Sequence, residues 1–302
     1  RLAPLLHQVQ PQETILLETL LPLRLAASTE GAGRPIFCIH PILGVSLSFA
    51  TLVPFFPENR PVYALQDAGL MLGEHAPRTM QDLAAMYLEQ IRAVQPEGPY
   101  TLVGWSMGGL VAHALTSLLH AEGEERVSLV MLDSYPLLSE GNPSSAHMTD
   151  EDLIAQAIPM LGMDFPENRP DTLEDLADRV VEDMLQSGLT IPAEFGDVEV
   201  LCAQFRSVVR QNLQLMRAWI PERLNADMLF FRATQRGAGL VRDDPALWQS
   251  YLGGKLSVQD LNSTHASMLD SDHAHDLTQS IMVFENRPIM KAPQSAPSPS
   301  SD

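Results

Sequence analysis

Tyr100-Thr101-Leu102-Val103-Gly104-Trp105-Ser106-Met107-Gly108-Gly109-Leu110-Val111-Ala112-His113 is a short apolar run that meets a Gly-x-Ser-x-Gly turn and then a helix-like pattern. The run predicts a buried strand, and the residues after the turn predict a helix. A serine between the two is lifted off the sheet and presented at a helix N-terminus. Gly104 and Gly108 keep side chains out of the cramped turn. Ser106 is therefore the candidate nucleophile. The bare five-residue pattern also occurs in ordinary loops; the strand before it and the helix after it carry the assignment.

Working outward, Arg34 to Pro41 is a strand pattern that ends in the small-residue loop Ile42-Leu43-Gly44, before an apolar segment from Phe49 to Phe56. Pro61 to Gln66 predicts the next strand. From Thr79 to Val94, Leu83, Met86, Tyr87, Ile91 and Val94 recur at helical spacing until Pro96-Glu97-Gly98-Pro99 stops the pattern. Val127 to Asp133 is a further strand with an acid at its carboxyl end. Such alternation predicts an α/β fold, a mostly parallel sheet with helices on both faces, in which ligands sit at the carboxyl ends of the strands. Ser106 and Asp133 both fall there.

The alternation breaks from Tyr135 to about Asn225, where helix-like stretches occur without a convincing strand. Residues 150 to 199 hold 14 acidic side chains against two arginines. We read an inserted helical lid at about 135–225 whose acidity is a solvated face. Strand patterns resume at Met228 to Thr234 and Lys255 to Leu261, around a helix near Pro245 to Leu252; a last helix runs from about Asp272 to Phe284. The expected organisation is thus a linker or leading segment over 1–33, one domain over 34–286, and a Pro/Ser-rich disordered tail over 287–302. The sequence begins without a methionine, and it is expected to be a piece of something longer.

Composition narrows the function classes. A net charge of −19 over 302 residues argues against a nucleic-acid partner, which needs a basic face. No uninterrupted apolar run reaches membrane length, and no N-terminal signal pattern is present. No metal-ligand spacing occurs. The two cysteines, Cys38 and Cys202, lie far apart, with Cys38 in an apolar strand pattern, which points to free thiols in a reducing, cytoplasmic setting.

A serine hydroxyl needs a base within hydrogen-bond reach, and the base needs a partner that holds its tautomer. Of nine histidines, His265 is best placed, in the polar loop after the last strand, and it completes the chain order Ser, Asp, His. His113 and His120 read as helix surface or satisfied core, His40 as a residue able to line the pocket, and His273 and His275 as helix-start polar residues. For the acid, Asp133 competes with Asp243 and Asp244 beyond the following strand. Asp133 is preferred because it needs no detour, and Asp244 ahead of Pro245 suits a cap. An oxyanion hole is expected from the backbone N–H groups of Met107 and Ile42.

Gly104-Trp105-Ser106-Met107-Gly108-Gly109, Met131-Leu132-Asp133-Ser134-Tyr135 and Thr264-His265-Ala266-Ser267-Met268-Leu269 together resemble the thioesterase domains that terminate nonribosomal peptide synthetases. Phe37-Cys38-Ile39-His40-Pro41-Ile42-Leu43-Gly44 is similar to their oxyanion-loop segment, and the resemblance spans about 34 to 286. Asp-Ser-Tyr after the strand favours this terminal type over stand-alone proofreading thioesterases, which usually take their acid from the later strand. The resemblance implies an α/β-hydrolase fold and no cofactor bound by the domain itself. It implies a peptidyl or depsipeptidyl chain delivered on the phosphopantetheine of an upstream carrier domain, transferred to Ser106, and released by hydrolysis or macrocyclisation. A general carboxylester hydrolase would share the same residues, and a non-catalytic binding protein on this fold would not need them.

One helix pattern carries a further feature. Between Phe205 and Trp219, Arg206, Arg210 and Arg217 fall within about 40° of each other at 100° per residue. This basic stripe is either paired with lid carboxylates or a contact for the carrier and its phosphate arm.

Overall fold

The computed structural model describes residues 18–27, 31–70, 77–136, 170–186, 196–235 and 244–287. Seven strands form one sheet in the order β1-β3-β2-β4-β5-β6-β7: β1 (Leu20–Arg24), β2 (Ile36–Ile39), β3 (Val62–Leu65), β4 (Tyr100–Trp105), β5 (Val127–Leu132), β6 (Met228–Ala233) and β7 (Leu256–Leu261). Every neighbouring pair is parallel except β1 with β3.

The inner strands β2 to β6 alternate between two cores, as a period of two requires. Phe37, Ile39, Leu102, Leu129, Met131 and Phe230 face one side, where α1 (Met80–Val94) and α2 (Met107–Ala121) lie. Ile36, Cys38, Val103, Val130, Leu132 and Phe231 face the other, covered by a 3-10 segment, Leu47–Phe55, and by α5 (Ser271–Glu285). Helix α1 starts at a reciprocal cap in which Thr79 Oγ1 accepts from Asp82 N at 3.0 Å and Asp82 Oδ2 accepts from Thr79 N at 3.0 Å. Its buried residues Met80, Leu83, Ala84, Tyr87, Leu88 and Ile91 form the apolar stripe.

The segment expected to be a lid contributes α3 (Leu173–Gln186) and α4 (Val198–Ala218); residues 137–169 and 187–195 of it lie outside the described residues, as do 288–302. The two helices share a small core of their own, in which Leu176, Val180 and Val181 meet Leu201, Phe205 and Val209.

Two sequence expectations need correction. The segment taken as a leader over 1–33 contributes β1, which pairs antiparallel along β3. Arg24 fastens it by donating to the carbonyls of Val53 at 2.9 Å, Pro57 at 2.7 Å and Arg60 at 2.9 Å. The lid limit near 225 also overshoots, because Leu215, Trp219 and Leu224 belong to the main core beside Trp248. Helix α4 therefore packs with α3 at its start and in the main core at its end.

Candidate active site

Ser106 sits between β4 and α2 with φ 58° and ψ −125°, a backbone that a non-glycine residue adopts only when its surroundings force it. The two glycines of the motif supply that force by allowing close approach. A Cβ on Gly104 would lie 2.2 Å from Gly108 O, and one on Gly108 would lie 2.2 Å from Ile39 O. The parallel ladder continues past the turn, with Ser106 N donating to Leu132 O at 3.0 Å. Ser106 itself is half-buried.

Asp133 follows β5 directly, also at positive φ, 45°. Its backbone N–H donates to Phe231 O at 2.8 Å, and its carboxylate is oriented from three sides. Oδ1 accepts from Tyr135 Oη at 3.1 Å and from Ala233 N at 3.2 Å, and Oδ2 lies 2.8 Å from His265 Nδ1. A carboxylate only accepts, so Nδ1 carries the proton and Nε2 is left with its lone pair. His265 lies in the loop after β7 and is buried with Asp133. Trp105, next to Ser106, donates from Nε1 to His265 O at 3.2 Å and places its ring 5.5 Å from the imidazole. That tether joins the histidine loop to the end of β4, the strand that Ser106 follows.

Met107 is the first residue of α2, so its N–H has no intrahelical acceptor. Ile42 lies in the loop after β2, where Pro41 O accepts from Gly44 N at 2.9 Å and from His40 Nδ1 at 2.7 Å. The structure thus brings Ser106, Asp133, His265, Met107 and Ile42 to the carboxyl edge of one sheet.

The other candidates are placed elsewhere. Asp244 caps the 3-10 segment Pro245–Tyr251, its Oδ1 accepting from Ala246 N at 2.9 Å, while Asp243 lies outside the described residues. His40 is fully buried, burial holds it below the ordinary histidine value, and Nε2 meets Tyr87 Oη at 2.5 Å. His113 is neither surface nor satisfied core, for it is buried and neither ring nitrogen has a hydrogen-bond partner among the described residues. His273 and His275 lie in the opening turns of α5.

Arg206 is paired with Asp178 at 2.7 Å and Glu199 at 2.6 Å, and Arg210 with Glu174 at 2.7 Å. Arg217 lies in the last turn of α4. At Arg206 and Arg210 the stripe is not a row of free cations; it faces lid carboxylates on α3 and α4. Trp105 and Tyr135, which orient the histidine and the acid, carry no role in the sequence pattern beyond membership of the motifs that flank them.

A serine on a strained strand-to-helix turn, with an oriented acid and histidine beyond later strands of a parallel sheet, defines the chain as an α/β hydrolase. A sequence model of the thioesterase domain matches residues 34–283, and the chain belongs to that family. It is 32% identical over 255 residues to a dimodular nonribosomal peptide synthase of Bacillus subtilis, and 30% identical over 252 residues to the malpinin synthetase of Mortierella alpina. Each match covers 83% of this chain but only 10% and 3% of those proteins, so the chain spans a small part of their length. Among solved structures, the fold is similar to that of the NocB thioesterase domain in covalent complex with a fluorophosphonate nocardicin G analogue (TM-score 0.59, 23% identity, 84% of this chain and 95% of that one). It is also similar to the surfactin thioesterase domain SrfTE (TM-score 0.56, 19% identity, 90% and 98%). No described helix is long and apolar enough to cross a membrane.

Proposed function

We propose that this domain releases a peptidyl or depsipeptidyl chain from the phosphopantetheine thioester of an upstream carrier domain, through an acyl-enzyme on Ser106, in a cytoplasmic setting. The observation that carries this reading is the Asp133–His265 pair, 2.8 Å apart and held to the serine's strand by Trp105. Ser106 Oγ attacks the thioester carbonyl while His265 Nε2 takes its proton. The developing oxyanion is received by the N–H groups of Met107 and Ile42, the C–S bond breaks, and the leaving thiolate takes the proton back from His265. In the second half the same histidine deprotonates water, or an amine or hydroxyl of the bound chain, as it attacks the acyl carbonyl; the bond to Ser106 Oγ then breaks, Oγ takes the proton back from His265, and an acid or a macrocycle leaves. Helices over the site favour the macrocycle where they exclude water, because the internal nucleophile gains from proximity. Membership of the thioesterase family and similarity to synthetase thioesterase domains support the substrate class.

Intact-protein mass spectrometry after a peptidyl thioester mimic is the test. An acyl adduct on the native chain, absent from Ser106→Ala, is expected, and the mass of the released product separates acid from macrocycle. An adduct that persists in Ser106→Ala refutes the nucleophile. Turnover of simple soluble esters with no adduct from any thioester would make the domain a general ester hydrolase.

A further inference from the structure

The carbonyl of Ile42 accepts a hydrogen bond from Asn212 Nδ2 at 3.0 Å, although the two residues are 170 positions apart. Asn212 lies on α4 and is fully buried, and its Oδ1 has no hydrogen-bond partner among the described residues. A buried amide with its acceptor unused is costly where leucine would pack in a similar volume. The donor is the part of the side chain that the structure uses.

Gln204, Val208 and Asn212 recur every four residues, so they share one face of α4. Gln204 Nε2 donates to Gly69 O at 2.5 Å. The methyls of Val208 lie 2.8 Å from where a Cβ on Gly44 would be and 3.1 Å from one on Gly69, with Gly44 at φ 81°. Asp67 joins the two loops beneath this face, its N–H donating to Gly44 O at 2.9 Å and its Oδ1 accepting from Gly69 N at 2.7 Å.

Ile42 therefore stands between two fixed peptide planes. In the first, Pro41 O is held by Gly44 N and His40 Nδ1, and planarity of the trans peptide turns Ile42 N–H the opposite way. In the second, among the described residues, Ile42 O is held by Asn212 on α4. The two planes pivot on one Cα, and Val208 on the same helix face packs on Gly44, whose N–H holds the first plane, so the aim of Ile42 N–H depends on α4 from both sides. An oxyanion donor is effective when it is aimed before the charge develops.

We propose that Asn212 is a positioning residue that makes the Ile42 donor depend on the seating of α4, so that the site receives the oxyanion fully only with this helix down. The inference rests on the acyl-enzyme reading above. It is tested in the full chain with Asn212→Leu and Gln204→Leu. The measurements are kcat and KM on a soluble peptidyl thioester mimic, and the affinity of a peptide boronic acid that forms a tetrahedral adduct with Ser106. In Asn212→Leu, kcat falls about 10- to 100-fold, a part of what loss of a whole oxyanion donor costs. KM stays within about twofold, and boronate affinity weakens in step with kcat, as it should when only transition-state stabilisation is lost. Asn212→Gln, which keeps a donor, recovers part of the loss. Gln204→Leu removes the tether at Gly69 instead and leaves kcat within about twofold, since uniform effects alone would fall on KM. Unchanged kcat and boronate affinity in Asn212→Leu overturn the proposal, as do equal losses in both variants, which mean general helix loosening. Should Asn212→Leu not fold, Asn212→Ala removes the same donor without bulk and is read the same way. Undiminished turnover in Ser106→Ala would instead overturn the acyl-enzyme reading, whatever Asn212 does.

Discussion

His113 offers a stability test that is independent of the chemistry. Its ring lies 5.4 Å from Trp219, edge to face, and 5.1 Å from Trp248 at a 30° tilt. Burial, with a smaller push from His120, lowers it to about 3. In the unfolded chain the same imidazole titrates near its ordinary value of about 6.5. Between these values the unfolded state binds a proton that the folded state refuses. Stability is therefore full above about pH 6.5, falls as the pH drops below it, and levels off near pH 3. At ~1.4 kcal/mol per unit, the loss from pH 7.5 to pH 5 is about 2 kcal/mol, a large share of an ordinary domain's stability. His113→Leu has a similar volume and no titration. At pH 7.5 it regains the cost of a buried unmade hydrogen bond, about 1–3 kcal/mol, and gives up two ring contacts of about 0.5–1.5 kcal/mol each, so it should be close to the native chain in stability. Urea titrations at pH 7.5, 6 and 5 are expected to show the gap in favour of leucine widening by about 2 kcal/mol over that range. His120 is present in both chains, so its own titration largely cancels in the difference. A gap that stays constant with pH would refute the assignment of a neutral, unpaired His113.

Asp133→Asn should slow acylation on the order of 10⁴-fold by losing the lock on the His265 tautomer, while Asp244→Asn, at a helix cap, stays near native; stopped-flow acylation in the reverse ranking would move the acid beyond β6. Arg60 and Glu285 form a bidentate pair, buried on both sides, to which Thr101 Oγ1 adds a bond at 2.9 Å. Arg60→Met should cost about 3–5 kcal/mol in urea unfolding, much of it recovered in the double variant with Glu285→Leu; a single substitution costing under about 1 kcal/mol contradicts this. Arg210→Glu places like charge against Glu174 and should loosen α3 from α4, with equal, modest rate losses on carrier-bound and soluble thioesters; a loss confined to the carrier-bound substrate would assign Arg210 to docking instead.

The site was more legible in the sequence than the fold's margins because its signals are local. Gly104, Ser106 and Gly108 sit inside one turn, and Asp133 and His265 each follow an apolar run that announces its own end. Strand β1 lacked such a signal. Leu20–Arg24 has one buried residue, Leu21, and carries Pro22, which demotes a strand pattern yet is tolerated on an edge. The place of His113 is not legible from spacing, because helical spacing separates an inner from an outer face, whereas 11 of the 15 residues of α2 are buried and an outer face hardly exists. The stripe of Arg206, Arg210 and Arg217 was visible, but its partners Asp178 and Glu174 lie on another helix, a pairing that no spacing encodes. The same holds for Asn212, whose partner is a carbonyl 170 residues away.

The two ends of the sheet divide the work. Ser106 and Asp133 each hold a positive φ, 58° and 45°, at a cost of about 1–3 kcal/mol apiece for non-glycine backbone. Each follows a strand paired on both sides, β4 between β2 and β5, and β5 between β4 and β6. Each also donates its own N–H to the neighbouring strand, so the ladder extends one residue past the strand and keeps the strained conformer in place. At the opposite end, Arg60 donates to Arg34 O just before β2, and its partner Glu285 closes α5 and takes the hydroxyl of Thr101 at the start of β4. Strain is concentrated at the two residues proposed for the chemistry, and a buried ion pair fastens the strand starts furthest from them. Loosening the Arg60 end should therefore unfold the domain without reshaping the site, whereas relaxing Ser106 or Asp133 removes the geometry on which the chemistry depends.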